Sequence, residues 1–157
     1  MKSEKYDIIT SCPEETFHFG VLLGQYVTSG SVIALNGELG SGKTCLTKGI
    51  AKGLDVPKDF CVTSPTFAII NEYPGRIHLY HVDLYRINEV CEINDIGLSE
   101  ILVSNGVIVI EWAEKLAEIL PEERLQVSIS IINDYARKFY LTGRGQDAIN
   151  LAKKILR

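Results

Sequence analysis

The chain has 157 residues and a formal net charge of −4, and this length fits one compact domain spanning residues 1–157. Its hydrophobic content of 46% and charged content of 23% are typical of a globular protein and exclude a disordered or collagen-like chain. The excess of acidic residues disfavours a protein dedicated to binding DNA, RNA or anionic lipid.

Apolar runs in the chain are short, and the longest, such as residues 107–110, contain four residues. A membrane span needs about 18 continuous apolar residues, and the charged N-terminus lacks the apolar segment of a signal peptide. We therefore expect a cytoplasmic protein without membrane contact. The four cysteines form no C-x-x-C pair, and we expect them to be free thiols.

The first third of the chain predicts alternating strands and helices. Residues 6–9 resemble a short strand, and the S-x-x-E capping box at residues 11–14 predicts a helix over residues 13–29. Residues 31–36 are apolar and β-branched, as in a strand buried on both faces. After a glycine-rich loop, apolar residues recur at every fourth position from Leu46, which predicts a second helix.

The middle of the chain predicts a hairpin followed by a buried strand. Residues 67–73 and 77–83 are strand-like runs joined across Pro74-Gly75, so the sheet cannot be purely parallel. A polar, acidic stretch leads into a short helical pattern at residues 98–103. Residues 107–110 then predict a second strand buried on both faces.

The last third predicts a second hairpin between two helices. Residues 113–120 are expected to form a helix that ends at Pro121. Strands at residues 125–131 and 137–142 are joined by a turn at Asn133-Asp134. The final amphipathic helix carries Ile149, Ala152 and Leu156 on its apolar face. Together these elements predict an α/β fold with a mixed sheet.

Residues 37–44, G-E-L-G-S-G-K-T, match the phosphate-binding pattern G-x-x-x-x-G-K-[ST] between a predicted strand and a predicted helix. Glycines allow the backbone amides to turn toward a phosphate, which the helix N-terminus also favours. Lys43 is predicted to contact the β- and γ-phosphate oxygens, and the Thr44 hydroxyl to bind Mg²⁺. The alternative is an ordinary glycine-rich turn, but four such fixed positions arise by chance in about one in 200 chains of this length.

Two predicted strands end in an acidic residue that could serve the same site. Asp83 ends the run of residues 77–83, and Glu111 follows the purer apolar run of residues 107–110, which favours a place beside the loop strand. Nucleotide hydrolysis needs a carboxylate for the metal and a group that orients water. Either acid could take either role, and each could also be a plain strand-end cap.

Other polar residues near these elements allow weaker inferences. Residues 64–67, S-P-T-F, form a polar turn where nucleotide switches place a γ-phosphate-sensing threonine, here Thr66, although an ordinary ST-turn fits equally well. His81 shares a strand face with Asp83, whereas His78 points to the other face. Neither histidine has a third ligand at metal spacing, which disfavours zinc.

Several nucleotide-binding classes lack their signatures in this chain. There is no N-K-x-D motif for guanine and no L-S-G-G-Q motif of transporter ATPases. A small-molecule kinase usually has an arginine-rich lid, and only Arg86 is expected near the site. A kinase and a non-hydrolysing ATP-binding adaptor remain the alternatives to an ATPase.

The complete set of motifs resembles the bacterial TsaE ATPases, which act in threonylcarbamoyladenosine modification of tRNA. The resemblance covers nearly the whole chain and is carried by residues 37–44 (GELGSGKT), 64–67 (SPTF), 81–86 (HVDLYR) and 111–114 (EWAE). It implies a P-loop NTPase-like, three-layer α/β/α fold with a mixed central sheet that binds ATP and Mg²⁺. It also implies TsaB and TsaD as protein partners, with tRNA contacted only indirectly.

The resemblance also implies roles for individual residues. The metal ligands would be Thr44 and Glu111, and Asp83 would be the acid that acts in hydrolysis. Trp112 fits a switch or partner-facing role. The implied catalytic set is Lys43, Asp83, Glu111 and Thr66. The implied nucleotide-binding set is Ser11, Leu39, Gly40, Ser41, Gly42, Lys43, Thr44, Cys45 and Arg137, with Ser11 and Arg137 on the adenine side.

Cys45 departs from the family pattern, which commonly has threonine at this position. Because thiol pKa values fall at helix N-termini, we expect Cys45 to be alkylated in the nucleotide-free protein and shielded by ATP. A buried, inert thiol is the alternative.

Overall fold

The computed structural model describes residues 1–65 and 69–157. In these residues the strands are β1 Ser3–Thr10, β2 Val32–Gly37, β3 Ile70–Tyr73, β4 Leu79–Asp83, β5 Val107–Glu111, β6 Arg124–Ile131 and β7 Arg137–Arg144. The α-helices are α1 Pro13–Tyr26, α2 Lys43–Gly53, α3 Cys91–Asn94, α4 Leu98–Leu102 and α5 Gln146–Ile155, with a 3₁₀ helix at Ala113–Leu116.

The strands of the described residues form one sheet in the order β1-β7-β6-β2-β5-β4-β3. The central strand β2 is parallel to β5 on one side and to β6 on the other, and β5 is parallel to β4. The outer pairs β3–β4, β6–β7 and β1–β7 are antiparallel. The predicted mixed sheet and both predicted hairpins are therefore confirmed.

Helices cover the two faces of the sheet unequally. On one face, residues of α1, α2 and α5 such as Leu23, Ile50 and Leu151 form a core with strands across most of the sheet. On the other face, Leu98 and Leu116 pack with β2, β4 and β5, and the described members of this second core include none from β1, β6 or β7. Helices thus lie on both faces, but on the second face they cover only part of the sheet.

Close packing of α1 against α2 sets the position of the glycine-rich loop. A Cβ atom added to Gly49 would lie 2.2 Å from the Phe17 carbonyl oxygen, and one added to Gly20 would lie 2.3 Å from the Leu46 oxygen. Only glycine allows the two helix backbones to approach this closely. Because α2 begins at the end of the loop, this contact fixes the helix that carries Lys43 and Thr44.

Three predicted helix features differ in the structure. The first helix ends at Tyr26, because Val27 has an extended backbone with ψ of 148°. The capping box over residues 11–14 does not form, since the Ser11 N–H donates to the carboxylate of Glu15 at 2.6 Å and not to that of Glu14. The final helix ends at Ile155, which is buried in place of Leu156.

The predicted helix over residues 113–120 is also wrong, because only Ala113–Leu116 is helical and it is of the 3₁₀ type. The backbone N–H groups of Lys115 and Ile119 donate to oxygens three residues earlier. Pro121 disfavours a helical backbone in the residue before it, so the segment does not extend into an α-helix. The start of the predicted strand over residues 67–73 lies partly outside the described residues. No described helix combines the length and the apolar character needed to span a membrane.

Candidate functional site

The glycine-rich loop connects β2 to α2 through backbone conformations that suit glycine. Gly40 has φ of 79° and Gly42 has φ of 106°, both in the left-handed region. Gly42 precedes α2, and no side chain of the described residues caps the first turn of that helix. The amide groups at the head of α2 are therefore available to an anionic group.

Lys43 is the cation of this loop, and its side chain folds back over it. The Nζ atom donates to the carbonyl oxygens of Gly37 at 2.5 Å and Glu38 at 2.9 Å, and it lies 4.1 Å from the ring centre of Trp112. Burial lowers the pKa of Lys43, whereas the charges of nearby carboxylates, Glu111 foremost, act in the opposite direction. The loop thus holds a largely buried ammonium group beside a row of acidic residues.

Thr44 connects the loop to two other segments. Its Oγ1 atom lies 2.7 Å from Oγ of Ser64, and it donates to Oε1 of Glu111 at 3.2 Å. The parallel pairing of β2 with β5 sets Leu35 opposite Glu111, which confirms that the strand ending in Glu111 lies beside the loop strand. The predicted metal pair, Thr44 and Glu111, is therefore in contact.

The two strand-end acids are neighbours but lie at different depths. Asp83 and Glu111 are paired in the register of β4 and β5. Glu111 is buried, whereas Asp83 is only partly buried and accepts a hydrogen bond from the Tyr85 N–H at 2.9 Å. Partial burial raises the pKa of Asp83, and the charge of Glu111 adds to this effect, while the Tyr85 hydrogen bond opposes it. The environment of Asp83 therefore favours its protonated form.

A cavity of about 410 Å³ opens over these groups. Its walls are the loop and the head of α2, the segment at Ser64 and Pro65, and the ends of β4 and β5. The lining residues are Leu39, Gly40, Ser41, Gly42, Lys43, Thr44, Cys45, Ser64, Pro65, Ile69, Asp83, Tyr85, Arg86, Glu111 and Trp112. The described part of the chain thus brings nearly all of the sequence-predicted site residues to one cavity.

Two predicted site residues of the described chain, Ser11 and Arg137, are not among those that line this cavity. Ser11 is an exposed residue just before α1. Arg137 in β7 donates to the carbonyl oxygens of Ser41 at 3.0 Å and Gly40 at 3.2 Å, so it contacts the loop backbone. Thr66 lies outside the described residues. The adenine-side roles of Ser11 and Arg137 stay predictions.

Cys45 does not have the electrostatic environment that its place near the helix N-terminus suggests. Its thiol is partly buried beneath the start of α1 and lies 3.5 Å from the Pro13 carbonyl oxygen. Burial raises the pKa of Cys45, although the charges of Lys48 and Arg137 oppose the shift. The expected fall in the thiol pKa is therefore wrong in direction. All four cysteines are free thiols, as predicted.

Sequence reasoning missed several residues that contact the site. His81 and Thr47 surround the Glu111 carboxylate, and Ser64 contacts Thr44. The Tyr85 ring packs against Trp112 with ring centres 5.1 Å apart. The signal for His81 was its place on the same strand face as Asp83, and Ser64 and Tyr85 lie in the motifs at residues 64–67 and 81–86. The contacts themselves depend on tertiary structure, which the sequence does not give.

The family profile described as "Threonylcarbamoyl adenosine biosynthesis protein TsaE" matches residues 10–139. The chain belongs to the TsaE family. It is 40% identical to the tRNA threonylcarbamoyladenosine biosynthesis protein TsaE of Bacillus subtilis over 158 aligned residues, which cover 100% of this chain and 96% of that protein. It is 38% identical to the protein of the same name from Treponema pallidum, over 83% of this chain and 95% of that one.

A solved structure gives the same result for the fold. The crystal structure of Bacillus subtilis YdiB aligns with this chain with a TM-score of 0.81 and 35% sequence identity, and the match covers 100% of this chain and 97% of that one. The TsaE family relationship therefore extends over the whole α/β domain and includes both hairpins.

The residues at the cavity suit a magnesium ion that arrives with a nucleotide. Among the described residues, no group of three His, Cys, Asp or Glu side chains forms a metal site by itself. Mg²⁺ commonly takes only one or two protein oxygen ligands and completes its shell with phosphate oxygens and water. The Thr44 hydroxyl and the Glu111 carboxylate are oxygen donors of that kind, and both line the cavity.

Proposed function

We propose that this TsaE-family protein is the ATP-binding and ATP-hydrolysing component of the machinery that makes threonylcarbamoyladenosine in tRNA. The names of its relatives support the role in threonylcarbamoyladenosine biosynthesis. The single observation that carries the ATPase assignment is the arrangement of Lys43, Thr44 and Glu111 around one cavity at the head of α2. In that arrangement, a loop suited to bind an anion lies beside two oxygen ligands for a metal ion, the Thr44 hydroxyl and the Glu111 carboxylate.

In this proposal the chain holds ATP mainly by electrostatic positioning. The amides of the loop and the Lys43 ammonium bind the β- and γ-phosphate oxygens, which requires Nζ to leave the carbonyl oxygens of Gly37 and Glu38. Thr44 and Glu111 hold Mg²⁺, which neutralises phosphate charge when it is bound. Asp83 faces the same cavity and orients the attacking water.

In this proposal, ATP hydrolysis by the chain serves a complex of other proteins. We infer that the chain works in the cytoplasm with TsaB and TsaD, and that hydrolysis resets their complex between rounds of threonylcarbamoyl transfer. The net charge of −4 favours this division of labour, because tRNA contact is then left to the partners. The protein itself contacts neither DNA nor membrane in this proposal.

Phosphate release with purified TsaB and TsaD tests the proposal. We expect turnover that rises when both partners are added and disappears in Lys43→Ala. A phosphorylated small acceptor without partners would instead indicate a kinase, and tight ATP binding without turnover would indicate an adaptor. Nucleotide binding that is unchanged in Lys43→Ala would overturn the site assignment itself.

A further inference from the structure

His81 is fully buried beside the cavity, and the proposed binding of phosphate does not involve it. It lies in β4 with 0% exposure, and its Nε2 atom is 2.9 Å from Oε1 of Glu111. The register of β4 and β5 places His81 opposite Val109, one step along the same sheet face from the Asp83–Glu111 pair. The imidazole ring therefore contacts the Glu111 carboxylate from the side away from the end of β5.

Among the described residues, three side chains lie within hydrogen-bonding distance of the Glu111 carboxylate, and they are not equivalent. The Thr47 hydroxyl has one proton, which it donates to the Lys43 carbonyl oxygen at 2.8 Å, and it lies 3.4 Å from Oε1. The Thr44 hydroxyl lies 3.2 Å from Oε1 and 3.4 Å from Oε2 and is shared with Ser64. The imidazole of His81 makes the shortest contact to the carboxylate.

The environment of the second ring nitrogen of His81, Nδ1, indicates that Nε2 is the nitrogen that donates to Glu111. Nδ1 has no hydrogen-bond partner among the described residues and is buried. A carboxylate oxygen is an acceptor, so the tautomer that fits this environment carries its proton on Nε2 and leaves Nδ1 as a bare acceptor. This arrangement directs the Nε2–H of the ring at Oε1 of Glu111.

We propose that His81 is a positioning residue that orients Glu111 for magnesium. Its Nε2–H donates to Oε1, which fixes the rotation of the carboxylate and leaves Oε2, the oxygen without a His81 contact, free to bind the metal. The Thr44 hydroxyl lies within reach of both carboxylate oxygens, at 3.2 Å from Oε1 and 3.4 Å from Oε2. A buried carboxylate needs hydrogen-bond donors, and donors behind a metal ligand also set its orientation. The inference rests on the proposed function, because it takes Glu111 as a ligand of Mg²⁺.

Two amide replacements of His81 with side chains of different length distinguish a positioning role from a role in filling the core. The side-chain amide of glutamine in His81→Gln can reach the position of Nε2, whereas that of asparagine in His81→Asn is one bond shorter and cannot donate to Oε1. The measurement is binding of a fluorescent ADP analogue, first in EDTA and then during a Mg²⁺ titration. His78→Asn is the matched control, because His78 is an exposed histidine that contacts Glu72 on the same hairpin.

We expect His81→Asn to raise the Mg²⁺ concentration needed for half-maximal effect by about tenfold or more, with His81→Gln staying within about threefold of the wild type. Binding in EDTA and the His78→Asn titration should match the wild type. Equal Mg²⁺ requirements in all variants, or equal losses in His81→Asn and His81→Gln, would overturn the proposal. A core-filling role would lower Tm without this difference between the two amides.

Two further outcomes keep the experiment decisive. If His81→Asn does not fold, the bulkier apolar His81→Leu replaces it, with the same expected rise and the same refuting result. If nucleotide binding by the wild type shows no Mg²⁺ dependence, the proposed function fails. If the wild type shows that dependence and His81→Leu or His81→Asn retains it unchanged, only the role of His81 fails.

Discussion

The contact between α1 and α2 gives a prediction whose magnitude follows from the structure. In Gly49→Ala, the new Cβ would lie 2.2 Å from the Phe17 carbonyl oxygen, although real Cβ contacts essentially never fall below 3.0 Å. The two helix backbones must therefore separate by about 0.8 Å to relieve this one contact. The Cβ is bonded directly to the α2 backbone and the oxygen belongs to the α1 backbone, so no flexible side chain can move aside instead.

The energetic result combines two opposing effects. Overpacking a close contact costs about 1–3 kcal/mol, whereas replacing glycine by alanine inside a helix contributes about 0.8–1 kcal/mol of helix propensity. Because neither contacting group can move aside, we expect a cost near the upper end of this range and a net loss of about 2 kcal/mol in the free energy of unfolding. Such a loss lowers Tm by about 4–8 °C in a domain of this size. The separation also moves the head of α2, so nucleotide affinity should fall.

Urea denaturation of Gly49→Ala and Gly20→Ala, with Lys52→Ala as the exposed control on α2, measures this effect. Lys52 is exposed, and its substitution should change stability by less than about 0.5 kcal/mol. Gly49→Ala with stability equal to or above that of the wild type would refute the reasoning, because the gain in helix propensity would then stand alone and the helices could not be in the described contact.

Four further predictions concern the cavity. Lys43→Ala should reduce turnover by about 10²–10³-fold and weaken nucleotide binding, and a phosphate-release assay that shows wild-type turnover would contradict this. Glu111→Ala should weaken the Mg²⁺ dependence of nucleotide binding more than Asp83→Ala does, and the reverse order in a metal titration would exchange their roles. Because the pKa of Asp83 is raised in the folded protein, its ionisation costs stability as the pH rises through that pKa. Asp83→Asn should therefore raise Tm at pH 7, and this gain should vanish below the ordinary Asp pKa of about 3.9. A gain of equal size at both pH values would exclude this electrostatic cause. Burial that raises the pKa of Cys45 should make its labelling by iodoacetamide slower than that of the exposed cysteines, and mass spectrometry that finds Cys45 labelled first would show the opposite.

The different depths of the two acids give them different tasks in the proposed reaction. Glu111 is buried and bound by hydroxyl and imidazole groups, so its orientation is fixed before a nucleotide arrives. Asp83 is closer to solvent and has a raised pKa, which suits a group that contacts water. The residues alone left these roles open, because each acid ends a predicted strand, and only the family resemblance implied the metal role for Glu111 and the hydrolytic role for Asp83.

Local features of the fold were predictable because they depend on neighbours along the chain. The strand before the loop, the two hairpins and the helix after Lys43 all follow from hydrophobic period and turn residues, and each is present. The helix over residues 113–120 was predicted from the same kind of local evidence, the spacing of apolar residues, and it was wrong. The segment forms 3₁₀ hydrogen bonds, and only Ala113–Leu116 is helical.

The sequence by itself determined the glycine-rich loop with Lys43 and Thr44 and indicated the TsaE family, because these features depend on residue types and spacings within short segments of the chain. Only the tertiary structure decided which groups surround them. The Arg137 contact with the loop spans 96 residues along the chain, and the His81–Glu111 contact joins two neighbouring strands. Burial of Cys45 depends on where the start of α1 packs. Such contacts arise from strand order and helix packing, which act between segments that are distant in sequence, and burial then sets the pKa of each group.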